Sequence, residues 1–212
     1  MKNLPLLIGT LILTSVLIGG VALLFSNSGS TKTVNQAQVV GDARHVQGPD
    51  TAKVTVVEFG DFQCPACKAT EPIVQQLLTT HGKEIRFIFR QFPLTQVHPN
   101  AQRSAQVAEA TTSFGKFWQM HDLLYETQDD WGDLKANEAQ AKFDSYVEKL
   151  KIDKNEFKKK IDSQETNDKI TTDVSDATKI NVDGTPTFYV NGQKTLAPQL
   201  ISTVESFLTK TQ

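Results

Sequence analysis

Hydrophobic and polar positions divide the chain into three regimes. Leu4 to Phe25 is a continuous apolar run without charge, in which Thr10, Thr14 and Ser15 are the polar side chains. Ser26 to Gly48 is rich in Ser, Asn, Thr, Gln and Gly and carries no hydrophobic period. From Pro49 to Gln212 apolar residues recur at the spacings of strands and helices. The three regimes predict a membrane anchor or signal over 1–25, a flexible tether over 26–48, and one folded domain over 49–212.

A helix over Leu4–Phe25 would extend roughly 33 Å at about 1.5 Å per residue, enough to cross a bilayer once. A secretory signal has a shorter apolar core of about 7–15 residues, which favours an uncleaved anchor. Ser26 and Ser28 leave cleavage as the lesser reading. Lys2 ahead of the run sets the N-terminus in the cytoplasm and everything after Phe25 outside, where disulfides persist.

Within the domain, Lys53–Gly60 is β-branched and apolar, as a buried strand should be. Ile73, Val74, Leu77 and Leu78 form one face of a helix that starts at Pro65 and stops at Gly82. Glu84–Arg90 alternates and predicts a second strand, completing a β-α-β unit. Helices are then expected with Ala101, Ala105 and Ala108 on a narrow face and with Phe117, Trp118, His121, Leu124 and Tyr125 on a bulky one. Further helices are predicted near 138–150, 154–163 and 165–180, with Asp153 capping one of them. Thr187–Gly192 reads as a strand ending in an Asn-Gly turn, and Leu200, Ile201, Val204, Phe207 and Leu208 mark a closing helix.

The chemistry lies at the first strand-to-helix junction. Cys64 and Cys67 are the 2 cysteines of the 212-residue chain, in the run Phe62-Gln63-Cys64-Pro65-Ala66-Cys67-Lys68. Three residues apart at a helix start, they can close a small ring, and the leading sulfur faces unpaired backbone N–H groups that favour its thiolate. Cys64 is therefore the expected nucleophile and Cys67 its partner in a redox-active disulfide. In a β-α-β context a C-x-x-C is a strong redox signal.

Other functions find little support. The net charge of −2 gives no electrostatic footprint for nucleic acid, and Lys158–Lys160 reads as a solvated helix face. His45, His81, His98 and His121 lack the paired spacing of a zinc site, and no phosphate loop or Ser/His/Asp set is present in the sequence. The expectation is a monomer without cofactor or metal.

Four motifs, Glu58–Cys67, His98-Pro99-Asn100-Ala101, Gly115–His121 and Gly184-Thr185-Pro186-Thr187-Phe188, occur in the order found in one family. On them the chain resembles the DsbA-like branch of the thioredoxin superfamily, in particular the membrane-tethered bacterial thiol:disulfide oxidoreductases. The resemblance implies an α/β thioredoxin fold with a helical subdomain inserted at about 93–180, and a cis peptide at Thr185-Pro186 beside the sulfurs. It also implies substrate contacts at Thr185, Pro186, Pro65 and Ala66, and reoxidation by a quinone-linked membrane partner. Oxidising members often carry histidine where this chain has Ala66, which offers no cation to the thiolate.

Two residues keep paired readings. Glu58 is either a buried acid that relays a proton for Cys67 or a water-exposed strand-end carboxylate; Pro186 is either a cis proline in the substrate site or an ordinary turn residue. The overall expectation is an oxidase that donates its disulfide to unfolded or newly exported proteins. A reductase or isomerase using the same dithiol is the alternative, and a redox-inert peptide-binding module or holdase is the alternative of another class.

Overall fold

A computed structural model describes residues 33–210. The anchor expected over Leu4–Phe25 lies outside the described residues, and among the described residues no helix is long and apolar enough to cross a membrane. A five-stranded sheet of order β1-β3-β2-β4-β5 forms the centre. Strand β2 (Val54–Gly60) is buried along its whole length, as its β-branched sequence requires. It pairs in parallel with β3 (Ile85–Gln91), and helix α2 (Pro65–His81) makes the crossover between them. On its other side β2 pairs antiparallel with β4 (Thr187–Val190), which turns through Asn191 and Gly192 into β5 (Gln193–Thr195). Both turn residues have positive φ, 47° and 83°, the conformation of a two-residue hairpin.

The stretch read as a tether is partly folded. Helix α1 (Gln36–Val40), capped by the Asn35 side chain, and strand β1 (His45–Gln47), antiparallel to β3, both precede Pro49. Three residues of strand and five of helix are too short to show a hydrophobic period. They are held by the sheet edge and by buried Val39.

Between β3 and β4 the chain forms the inserted helices α3 (Ala101–Thr111), α4 (Phe117–Glu126), α5 (Gln128–Trp131), α6 (Ala136–Lys149), α7 (Lys154–Ile161) and α8 (Gln164–Lys179). Asp153 caps α7 through the backbone N–H groups of Asn155 and Glu156, at 2.9 Å each. Helix α9 (Leu200–Lys210) closes the fold.

Side chains of β2 alternate between two cores, and that alternation sets the site. Val54 and Val56 join Cys64, Cys67, Phe62 and the aromatic residues of α4; Val57 and Phe59 join Ile88, Tyr189 and Ala177 on the opposite face. Glu58 shares the parity of Val54 and Val56 and so points toward α2 and its cysteines.

Candidate active site

Cys64 is the N-cap residue of α2, with Pro65 at the first helical position, where its missing N–H costs nothing. Both cysteines are free thiols and both are buried, whereas Pro65 and Ala66 between them are exposed. Cys64 Sγ lies 3.4 Å from the Thr185 carbonyl oxygen, beside a cis Thr185–Pro186 peptide, and donates to it only when protonated. The turn therefore sits against the nucleophile, with the cis geometry that the resemblance implied.

The two sulfurs are pushed in opposite directions. A hydrogen bond from the Cys67 thiol, aided by the Thr185 side chain and the backbone N–H groups of Cys67 and Ala66, outweighs burial and brings Cys64 down to about 5. Burial pushes Cys67 well above its usual range, and its bond to Cys64 and the charges of Glu58 and Cys64 push the same way. Cys64 is thus a thiolate at neutral pH and Cys67 a thiol. Glu58 lies beneath them, 2 % exposed, which removes the water-exposed reading. Burial first, then the charges of Glu71 and Cys64, hold its carboxyl protonated well above the ordinary carboxylate range.

Sequence reasoning missed the residues that fix the loop before Cys64. Asp61 accepts from the backbone N–H groups of Gln63 at 2.8 Å and Leu94 at 3.0 Å, and His98 Nδ1 lies 2.7 Å from its Oδ2. Gln63 accepts from Asn100 N at 2.6 Å and donates to Gly132 O at 2.6 Å. Asn100 donates to Leu134 O at 2.9 Å, and Gln128 to the carbonyls of Phe62 at 2.7 Å and Cys64 at 3.0 Å. These buried amides staple the active-site loop to the helical subdomain. Their one signal was indirect: Asp61, Gln63, His98 and Asn100 lie inside the motifs that carried the resemblance. Beside Pro65 a groove of about 350 Å³ opens, lined by Val97, His98, Pro99, Asp129 and Asp133 among others.

On the far side of the sulfurs, Glu71, His121 and Asp122 bring potential ligand or proton-bearing atoms within 4.8 Å of one another. His121 was expected to be packed and hydrogen-bonded beside Trp118. It is buried, its ring centroid 5.1 Å from that of Trp118, and its Nδ1 lies 2.9 Å from Asp122 Oδ1, but its Nε2 has no hydrogen-bond partner.

A family model described as thioredoxin matches residues 41–210. A probable disulfide bond formation protein D of Bacillus anthracis is 33% identical over 155 residues, 68% of each chain. A protein named Na(+)/H(+) antiporter NhaA 1, from Salinispora arenicola, is 44% identical over 153 residues, which is 72% of this chain and 22% of that protein. The chain thus spans between a fifth and a quarter of the length of such curated relatives. Among solved structures, oxidised BdbD from Bacillus subtilis superposes with a TM-score of 0.68 at 25% identity, covering 85% of this chain and 97% of that one. The thiol-disulfide exchange protein alpha-DsbA2 from Wolbachia pipientis gives 0.67 at 21% identity, covering 81% and 90%.

Proposed function

The chain belongs to the DsbA-like thiol:disulfide oxidoreductases of the thioredoxin superfamily, and we propose that it works as an extracytoplasmic oxidase, donating the Cys64–Cys67 disulfide to exported proteins. The observation that carries this direction is the asymmetry of the sulfurs: Cys64 at about 5, Cys67 displaced upward by burial. A dithiol whose leading sulfur rests as a stabilised thiolate favours the reduced enzyme, so its disulfide is readily given away.

In the proposed cycle a substrate thiolate attacks Cys64 Sγ, the Cys64–Cys67 bond breaks, and Cys67 leaves as a thiolate. Glu58, held neutral by burial, gives that sulfur its proton. A second substrate thiolate then attacks the substrate sulfur of the mixed disulfide and expels Cys64, whose low pKa makes it a good leaving group. Exposed Pro65 and Ala66, with the backbone of Thr185 and the ring of Pro186, supply the surface on which an extended substrate lies. A quinone-linked membrane thiol oxidase restores the disulfide. The enzyme acts as a monomer on the outer side of the membrane, held by Leu4–Phe25, with release by cleavage as the lesser case.

Ala66 favours a second reading, a reductase or isomerase, because it adds no cation to the Cys64 thiolate. The deciding experiment mixes the oxidised full chain, in detergent, with a reduced unfolded protein. Donation predicts one substrate disulfide formed per enzyme disulfide consumed, and none with Cys64→Ser. A Cys64→Ser chain that still assisted folding to the same extent would establish the redox-inert holdase instead.

A further inference from the structure

His121 is 1 % exposed and boxed by the rings of Phe62, Phe89, Trp118 and Tyr125, where an imidazole needs a partner at each nitrogen. Nδ1 has one. It lies 2.9 Å from Asp122 Oδ1, and because a carboxylate accepts, Nδ1 carries the proton. The lone pair of the neutral ring is then on Nε2, which has no hydrogen-bond partner. Nε2 faces Glu71 Oε1 at 3.9 Å, too far for a hydrogen bond, and that oxygen is buried and unpartnered as well. A lone pair and a carboxylate oxygen thus face each other across a gap with nothing positive between them.

The gap has the width of a metal bridge. Zinc takes imidazole nitrogen at about 2.0–2.1 Å and carboxylate oxygen at about 2.0–2.2 Å, so one ion reaches both atoms over a span of up to about 4.3 Å. The Asp122 contact is what a ligating histidine has on its other nitrogen, a carboxylate that fixes the tautomer and aims the ring. Glu71 and Asp122 line a groove of about 390 Å³, which gives an ion a way in and water a place to complete its shell. No basic side chain fills the role instead. Buried Glu109 is approached by Arg44 and Lys169, and Asp173 by Arg44 and Arg90, whereas Lys68 on the wall of this groove pairs with Asp129 at 2.7 Å. Among the described residues, Glu71, His121 and Asp122 are the one set of three acid, histidine or cysteine side chains gathered closely enough to hold an ion. Glu71 belongs to α2 and the other two to α4, so no spacing along the sequence announces the set.

We propose that Glu71 and His121 bind a divalent transition-metal ion of the zinc class, with Asp122 orienting His121 and water from the groove supplying the remaining ligands. An imidazole nitrogen in the set favours such an ion over calcium or magnesium, which take oxygen. The ion fastens α2, the helix that carries both cysteines, to α4 of the inserted subdomain. Zinc has no redox chemistry, so the site adds cohesion to that helix and no electron to the dithiol's cycle.

The test is a calorimetric titration of the full chain in detergent with Zn²⁺, in the oxidised form, so that the Cys64–Cys67 disulfide leaves no thiolate for the metal. One equivalent should bind and raise the melting temperature. His121→Gln and Glu71→Gln should each lose that equivalent, and Asp122→Asn should weaken it about ten- to a hundredfold, the usual cost of removing an outer partner of a ligating histidine. His81 is the control, because it meets Glu84 at 3.1 Å and Glu205 at 3.7 Å in a competing acid–histidine set. His81→Gln should bind as the wild type does. Co²⁺ reports the location: Trp118, its ring centroid 5.1 Å from that of His121, should be quenched, and Trp118→Phe should remove the quenched part of the emission. If His121→Gln does not fold, Glu71→Gln and the Trp118 quenching decide between the outcomes. Absence of a one-equivalent site in the wild type, its loss in His81→Gln, or its survival in a folded His121→Gln or in Glu71→Gln would overturn the proposal.

Discussion

Two sets of carboxylates lie within the same domain, and they differ in the cations that face them. Glu109 on α3 and Asp173 on α8 are 0% and 2% exposed, and Arg44 comes within 3.7 Å of the first and 2.8 Å of the second. Asp173 takes Arg90 Nη2 at 2.7 Å and Arg44 Nη2 at 2.8 Å, and Glu109 Oε2 lies 2.7 Å from His45 Nε2. Arg90 on β3 also reaches Asp176 at 2.8 Å and the Val39 carbonyl at 3.2 Å. Burial raises the carboxyls of Glu58, Glu71 and Asp173 alike; for Asp173 the guanidinium groups of Arg44 and Arg90 oppose it, whereas Glu58 and Glu71 have no such cation at hydrogen-bonding distance among the described residues. The paired set fastens α1, β1, β3, α3 and α8 together, while in the proposed cycle the unpaired Glu58 holds the proton for Cys67. Burial alone therefore does not tell what a carboxylate is for; the presence of a partner does.

The sharpest break in this comparison comes from removing one cation. Arg90→Ala leaves Asp173 facing Arg44 without its bidentate partner and should cost about 3 kcal/mol, the lower end for breaking a buried pair. A urea melt measures the loss, while the alkylation pKa of Cys64 should stay near 5. Glu58→Gln should do the reverse. Turnover should fall by about 10² because the proton donor to Cys67 is gone, with stability and redox equilibrium little changed, since a neutral acid is replaced by a neutral amide. An unchanged rate would remove Glu58 from the mechanism.

The pH dependence of stability separates the two forms of the enzyme. Cys64 has a folded pKa depressed to about 5, so it stabilises the reduced protein fully above its unfolded pKa of about 8.5, and that stabilisation is lost as pH falls through about 5. The reduced protein should gain stability relative to the oxidised one as pH rises from about 5 to about 8.5, and melting curves of both forms check it. The smallest effect belongs to the exposed lysines of α7: Lys159, paired with Glu156 at 2.6 Å on the surface, should leave the urea midpoint unchanged as Lys159→Ala.

How much of this was legible in the sequence follows from the range of each interaction. The buried strand at 54–60, the cysteine at a helix N-cap, the Asp153 cap and the Asn191-Gly192 hairpin are local, and pattern and turn chemistry suffice for them. The cis Thr185–Pro186 peptide beside Cys64 came from the resemblance, because no local signal distinguishes it from a turn proline. Strand β1 was hidden because Arg44 and His45 owe their order to Glu109 and Asp173, far along the chain. For the same reason the Asp61–His98 contact and the Gln63–Asn100 bond escaped notice, though their residues stood in recognised motifs. Glu71 and Tyr125 gave no signal at all: each looks like an ordinary residue of an amphipathic helix until the helices pack.

Equilibrating the full chain in detergent with glutathione buffers tests the central claim, that a stabilised Cys64 thiolate makes this dithiol a disulfide donor. A potential near the oxidising end of the superfamily, around −120 mV, is the result predicted here; a value close to −270 mV would mean that the Cys64 thiolate is poised to reduce, and would contradict it.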